Sequence, residues 1–237
     1  MSQLESKAGR YPLKRGIFSS HSRITQIISE LPVGRILDLG CGTGSLTSPL
    51  VGLGWEISGI ELDPTDAHAA SANGLTVINE ELSTGIDLLD GCKFDVILAA
   101  DILEHLPNPR DICVSLLPLL KDSHSRLIVS IPNVANILIR IQLLFGGFNY
   151  TDRGILDRTH LRFYTRKTLL KLLDIEGLSV IKLTPTPIPV EMVIPTKVPP
   201  LLNTGIQQIL FCITRIMPAL LGYQFVVTLE KKISQLH

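Results

Sequence analysis

Five short apolar runs recur through the first 132 residues: RILDLG (35–40), WEISGI (55–60), LTVIN (75–79), FDVILAA (94–100) and RLIVSI (126–131). Helical spacing or turn residues separate each from the next. Strands alternating with helices of about 10–15 residues form βαβ units and a parallel sheet, with right-handed crossovers. The alternation predicts an open, doubly wound α/β fold, in which ligands bind beyond the carboxyl ends of the strands. Residues 45–53, a segment opened by Pro64 and ended near Asn73-Gly74, and residues 109–120 read as the helices. Upstream, Ser19 or Ser20 caps a helix with Ile24, Ile27, Ile28 and Leu31 on one face, and Pro32 and Gly34 stop it.

Beyond Pro132 the pattern loosens. Residues 134–145 read as helical and a polar stretch fills 148–165. Thr165 then caps an amphipathic helix with Leu169, Leu172 and Leu173 inward, closed by Gly177. LSVIKL (178–183) is a strand. Six prolines within 185–200 predict an irregular excursion, residues 203–217 a helix, and YQFVVTLE (223–230) a last strand. The expected organisation is an N-terminal helical cap (1–34), a binding core (35–184), and a Pro-rich apolar insertion that returns a last strand to the same sheet (185–237).

Composition narrows the function classes. With 22 basic and 22 acidic side chains the formal net charge is zero, so no basic field covers the chain and general nucleic-acid binding is not expected. The four cysteines form no CxxC pair and none lies at zinc spacing from a histidine. They read as reduced, mostly buried thiols, and no metal site is expected. Residues 1–16 lack a signal-peptide apolar core, and no uncharged run of about 18 residues suits a bilayer. A cytoplasmic protein is the expectation. The apolar segment 201–221 is open to three readings: core, a homodimer interface, or a peripheral membrane contact that would touch a lipid-linked acceptor.

The first strand runs into ILDLGCGTG (36–44), a strand-to-helix turn with glycines at 40, 42 and 44. Closely set glycines let the backbone approach a ligand, and a helix start presents N–H groups to it. The spacing departs from the dinucleotide form G-x-G-x-x-G, because Ser45 stands at the third glycine place, and no P-loop Gly-Lys-Ser/Thr follows. An acid, Glu61, ends the second strand about 20 residues on, where a carboxylate can accept from ribose hydroxyls.

These residues resemble class I S-adenosylmethionine-dependent methyltransferases: ILDLGCGTG at the first strand, GIELDP at the second, and AADILEHLPNP after the fourth. The resemblance implies a Rossmann-like seven-stranded mixed sheet, order 3-2-1-4-5-7-6 with the last strand antiparallel. It implies S-adenosylmethionine as cofactor, held by Asp38, Gly40, Cys41, Gly42 and Gly44, by Glu61 and Leu62, by Glu81 near the adenine, and by Asp101 near the methionine end. At the adenine place the family's Gly-Asp pair is departed from, since Glu80 stands where the glycine would be.

FNYTDRGILDRTHLRFYT (148–165) and the C-terminal GYQFVVTLEK are similar to a bacterial methyltransferase subgroup often linked to polysaccharide and glycosyl-transfer genes. The acceptor it implies is a hydroxyl of a sugar or of a lipid- or nucleotide-linked precursor. A quinone- or polyketide-type O-methyltransferase and a cofactor-binding regulatory partner without catalysis stand as alternatives. A hydroxyl acceptor must lose a proton, so a base helps; the candidates are His105, His160 and Asp157. Arg153, Arg158, Arg162, Arg166 and Lys167 form a local positive excess suited to phosphate or carboxylate, or else they pair with Asp152 and Asp157. Asn133, Tyr150, Arg158, Arg162 and Tyr164 are the candidate acceptor-binding residues.

Overall fold

The computed structural model describes Lys14, residues 16–190 and residues 200–232. A single seven-stranded sheet runs β3-β2-β1-β4-β5-β7-β6, from β1 (Arg35–Leu39), β2 (Glu56–Ile60), β3 (Thr76–Ile78), β4 (Val96–Ala100), β5 (Arg126–Pro132), β6 (Leu178–Thr186) and β7 (Gln224–Lys231). The first five are parallel to one another. β7 enters antiparallel between β5 and β6. The expected order and the antiparallel last strand are both present.

Alternate residues of the central strands feed two cores, as the period of two in a strand requires. Leu37, Leu39, Ile97, Ala99, Leu127, Val129, Phe225 and Val227 belong to one cluster. Ile36, Val96, Leu98, Ile128 and Val226 belong to the other. Both faces are therefore covered, which explains why these strands read as continuous apolar runs rather than alternating ones. Ile24 and Ile28 of α1 (Ser20–Ser29) enter the second core, and Ser19 caps that helix by accepting from the Ser22 N–H at 3.2 Å.

Several boundaries differ from expectation. The first crossover helix, α2, is only Ser48–Val51, because the turn continues through 45–47 and Pro49 can enter a helix only in its first turn. The helix predicted over 109–120 is α5 (Pro109–Ser115) followed by a 3₁₀ turn at Leu117–Leu119, with Pro118 at the break. Helix α4 (Leu82–Asp87) was not expected. Gly85 there lets it lie against β2: a Cβ at that position would stand 2.6 Å from Ile60 Cγ2. The order continues with α3 (Pro64–Ala72) between β2 and β3, α6 (Ile137–Leu144) and α7 (Arg166–Leu172) after β5, and α8 (Pro200–Ile216) and α9 (Pro218–Leu221) before β7.

β6 continues to Thr186, so the irregular excursion begins later than its first proline; much of it, 191–199, lies outside the described residues. On α8, Ile209, Ile213 and Ile216 are exposed, as is Met217 after it, so this face is not core. α8 is tied to the N-terminal segment: the Phe18 and Phe211 rings stack with centroids 4.4 Å apart, and Gln207 Oε1 accepts from the Ile17 N–H at 3.1 Å. Among the described residues no helix is long and apolar enough to cross a membrane.

Candidate active site

The parallel strands end on one edge, and the loops leaving them line a cavity of about 1030 Å³. That is the upper end of the range for small-molecule sites, about 300–1,000 Å³. Asp38, Gly40, Cys41, Gly42, Glu61, Leu62, Glu81, Asp101, His105, Asp157 and His160 all line it. Gly44 does not; it lies one residue beyond Thr43, which does.

The three glycines of the first turn all have left-handed φ, +62° at Gly40, +53° at Gly42 and +73° at Gly44, a region that costs an L-residue about 1–2 kcal/mol. Their surroundings differ. A Cβ on Gly40 would meet Ile102 Cδ1 at 2.7 Å, and one on Gly44 would press on Leu75 and Ala70 at 3.2–3.3 Å, whereas one on Gly42 would meet nothing within 4 Å. Gly42 therefore keeps space open rather than allowing protein to pack.

Glu61 Oε2 accepts from the Gly42 N–H at 2.8 Å and Oε1 from the Asp63 N–H at 2.9 Å, so the acid at the end of β2 fixes the turn after β1. A carboxylate has about four acceptor sites, so two are left for a sugar diol. Asp38 is buried and accepts from Thr47 Oγ1 at 2.8 Å. Burial raises its pKa to about 7, against the Thr47 hydrogen bond, with Glu61's charge adding to the rise. A cationic amine placed beside it would draw it to the carboxylate form. An open turn, a diol-accepting acid and an amine-accepting acid on one wall fit a nucleoside that carries an amino acid.

Asp101, after β4, has φ +54° and is the non-glycine residue in the left-handed region among the described residues. Such strain collects at functional sites. Its Oδ1 accepts from Ser130 Oγ and from Gln224 Nε2, each at 2.8 Å, and Oδ2 pairs with the Lys14 ammonium. Burial alone would raise its pKa; the Lys14 charge, with His21 nearby, holds it far below the usual carboxylate range. Lys14, His21 and Gln224 also line the cavity. None stood out in the sequence, because positions 14, 21, 101 and 224 meet only in the fold.

The cavity lining also carries two imidazoles, with ring centroids 4.8 Å apart. His105 Nδ1 lies 3.2 Å from the Thr159 carbonyl and 3.1 Å from Thr159 Oγ1. Thr159 Oγ1 in turn donates to Asp157 Oδ1 at 2.7 Å, and the Thr159 N–H donates to the same oxygen at 2.8 Å. A carbonyl only accepts, so the neutral His105 carries its proton on Nδ1 and Nε2 is the basic nitrogen. Burial, reinforced by the neighbouring His160, lowers its pKa, which keeps it neutral at physiological pH. His160 follows the same logic, donating from Nδ1 to the Ile155 carbonyl at 3.0 Å, with burial again lowering its pKa. Its Nε2 faces Glu104, 3.9 Å away.

Glu104 is buried, and neither carboxyl oxygen has a hydrogen-bond partner among the described residues. Burial first, and then the charge of Asp101, raise its pKa well above the ordinary value. Ligand atoms of Glu104, His105 and His160 lie within 4.8 Å of one another; bonds of about 2.0–2.2 Å to one shared ion would require them to draw in.

Asp157 is 1% exposed and capped by Thr159, so it orients the histidine wall rather than reaching substrate. The five residues expected to bind acceptor stand outside the cavity lining, each with another task. Asn133 is buried and donates to the carbonyls of Gly222 (2.8 Å) and Ala219 (3.2 Å). Tyr164 belongs to the core. Tyr150 is exposed and packs on Phe148. Arg158 pairs with Asp152 at the surface, 3.0 Å away, and Arg162 holds the Pro107 carbonyl through Nε at 3.0 Å. Of the two readings open for the basic residues of this stretch, Arg158 and Arg162 follow the second and pin the loop.

Comparison with known proteins follows the same lines. Residues 13–183 match the family described as "Methyltransferase domain". A ubiquinone biosynthesis O-methyltransferase of Glaesserella parasuis is 31% identical over 136 residues, 53% of this chain and 56% of that protein. The mitochondrial enzyme of that name from Arabidopsis thaliana is 31% identical over 126 residues, 51% and 36% of the two chains. The chain thus spans about half the length, or less, of these curated relatives. Among solved structures, an S-adenosylmethionine-dependent methyltransferase from Archaeoglobus fulgidus superposes with a TM-score of 0.63 at 20% identity, covering 90% of this chain and 92% of its own. Magnesium protoporphyrin IX methyltransferase from Synechocystis, with bound S-adenosylhomocysteine, gives 0.58 at 18% identity, over 90% and 82%. At these identities the structural likeness speaks for the fold.

Proposed function

The chain belongs to the methyltransferase domain family, and we propose that it moves a methyl group from S-adenosylmethionine to a hydroxyl on a small acceptor with a largely apolar body. The observation that carries this reading is one cavity joining the Gly40–Gly44 turn and Glu61 to the paired imidazoles of His105 and His160. When bound, the cofactor supplies an electrophilic methyl on a sulfonium. Asp38, Glu61 and the open space at Gly42 hold its amino acid and ribose. His105 Nε2 takes the acceptor's proton, and Thr159 with Asp157 holds the ring and its tautomer. Holding nucleophile and methyl in line in a water-poor site supplies much of the remaining acceleration.

Leu106, Ile188, Pro189 and Val190 give the acceptor side an apolar lining, and the relatives are named as ubiquinone-pathway O-methyltransferases. Both support a phenol- or quinone-precursor type of acceptor. A sugar or lipid-linked precursor is the second reading. It loses support from Arg158 and Arg162, whose partners lie outside the cavity. The convergence of His105, His160 and Asp157 favours an enzyme over a non-catalytic cofactor-binding partner.

The test is direct. The protein is incubated with S-adenosylmethionine and a panel of catechols, substituted phenols and lipid-linked sugars, and products are read by mass spectrometry. A gain of one methyl on a phenolic oxygen, with S-adenosylhomocysteine formed in equal amount, is expected. Methylation confined to the sugars would favour the second reading.

A further inference from the structure

Three arginines lie within residues 153–162, and the fold gives them different surroundings. Arg158 is neutralised by Asp152, and Arg162 is spent on the Pro107 carbonyl. Arg153 lines the cavity, and its guanidinium makes no ion pair or hydrogen bond among the described residues. An unpaired cation at the mouth of a cavity is a natural anion receptor, because a guanidinium offers a planar fork of donors matched to carboxylate or phosphate oxygens.

A second group points the same way. The Tyr223 hydroxyl also makes no hydrogen bond among the described residues, while its ring lines the cavity. It sits beside Arg153's neighbour: a Cβ on Gly154 would stand 3.0 Å from Tyr223 Oη. Burial, with Asp101's charge adding to it, raises the Tyr223 pKa to about 12, so the hydroxyl keeps its proton and serves as a donor.

Among the described residues no acid around this corner pairs with Arg153. Asp101 is paired with Lys14. Asp157 is buried and capped by the Thr159 N–H and hydroxyl. Burial favours the neutral form of Glu104. Arg153 and Tyr223 line the same cavity as the basic imidazoles, Arg153 exposed and His160 buried.

Resting on the methyltransferase reading, we propose that Arg153, assisted by the Tyr223 hydroxyl, recognises an anionic group on the acceptor. The acceptor class is then a hydroxyl compound with an apolar body that also carries a carboxylate or a phosphate. Arg153 is a specificity residue in this account: it touches the acceptor's anion and takes no part in moving the proton or the methyl.

Matched probes test this by calorimetry. Benzoate is titrated against its neutral analogue benzamide, and phenyl phosphate against phenol, into protein saturated with S-adenosylhomocysteine and into the free protein. At least one charged probe is expected to bind tenfold or more tighter than its neutral partner. Which pair shows the difference separates carboxylate from phosphate. Arg153→Gln should erase most of that preference, Arg153→Lys should retain part of it, and Tyr223→Phe should reduce it by a smaller factor. Arg153 is exposed, so its variants should keep the wild-type melting temperature. Equal or undetectable binding of charged and neutral probes, or a preference that survives Arg153→Gln, overturns the proposal. Failure to bind S-adenosylhomocysteine contradicts the methyltransferase reading instead, and the titrations of free protein still measure the anion site.

Discussion

Replacing His105 with glutamine is expected to lower kcat by about 10²–10⁴, the usual contribution of a positioned general base, with cofactor binding unchanged. Glutamine keeps polarity and approximate size but has no basic nitrogen. The prediction rests on the tautomer: Nδ1 is committed to Thr159, so Nε2 is where a proton is taken. The pH profile carries the same signature. Burial lowers the His105 pKa, so in the wild type kcat should rise with pH through a midpoint below the ordinary histidine value of about 6.5 and then level off. His105→Gln should remove that limb. His160, whose Nε2 faces the Glu104 carboxyl, should matter less when changed to glutamine. A larger loss at His160 than at His105 would reverse the assignment of the base.

The second large effect is at Gly42. A leucine there is expected to weaken S-adenosylhomocysteine binding by at least about a hundredfold, roughly 2.8 kcal/mol at 1.4 kcal/mol per decade. Folding should suffer much less, because the new Cβ meets no protein atom within 4 Å. The stability cost is then the left-handed φ alone, about 1–2 kcal/mol, or a few degrees in Tm for a chain of this size. Gly40→Leu makes the contrast. Its Cβ would strike Ile102, so both stability and binding should fall. Equal damage to folding in the two variants would mean that the space at Gly42 is not reserved for a ligand.

The parts of this protein that the sequence revealed are those whose meaning is local. A strand buried on both faces announces itself as an unbroken apolar run, and Phe94–Ala100 and Arg126–Ile131 did so. The glycine turn and Glu61 are close in sequence to the strands that position them, and the Glu61–Gly42 hydrogen bond joins two neighbouring strand ends. What escaped depended on distant partners. Asp101 was legible from the stretch after β4, but its partners Lys14 and Gln224 come from remote segments, and nothing near either of them signals the cluster. Tyr164 and Asn133 misled for the converse reason. Both look like ligand-facing groups, yet one fills core and the other satisfies the carbonyls before β7. Arg153 was one of several basic residues in a row, and only the fold separates it from those already paired.

The first measurement is calorimetric titration of S-adenosylmethionine and S-adenosylhomocysteine into wild type and Glu61→Ala. Glu61 both steadies the Gly42 turn and offers the acceptor sites assigned to the ribose. Micromolar binding to the wild type, weakened at least tenfold in the variant, about 1.4 kcal/mol, is the predicted result. Wild type that binds neither ligand, or a Glu61→Ala protein that binds both as tightly as wild type, would contradict the cofactor site on which the proposed reaction depends.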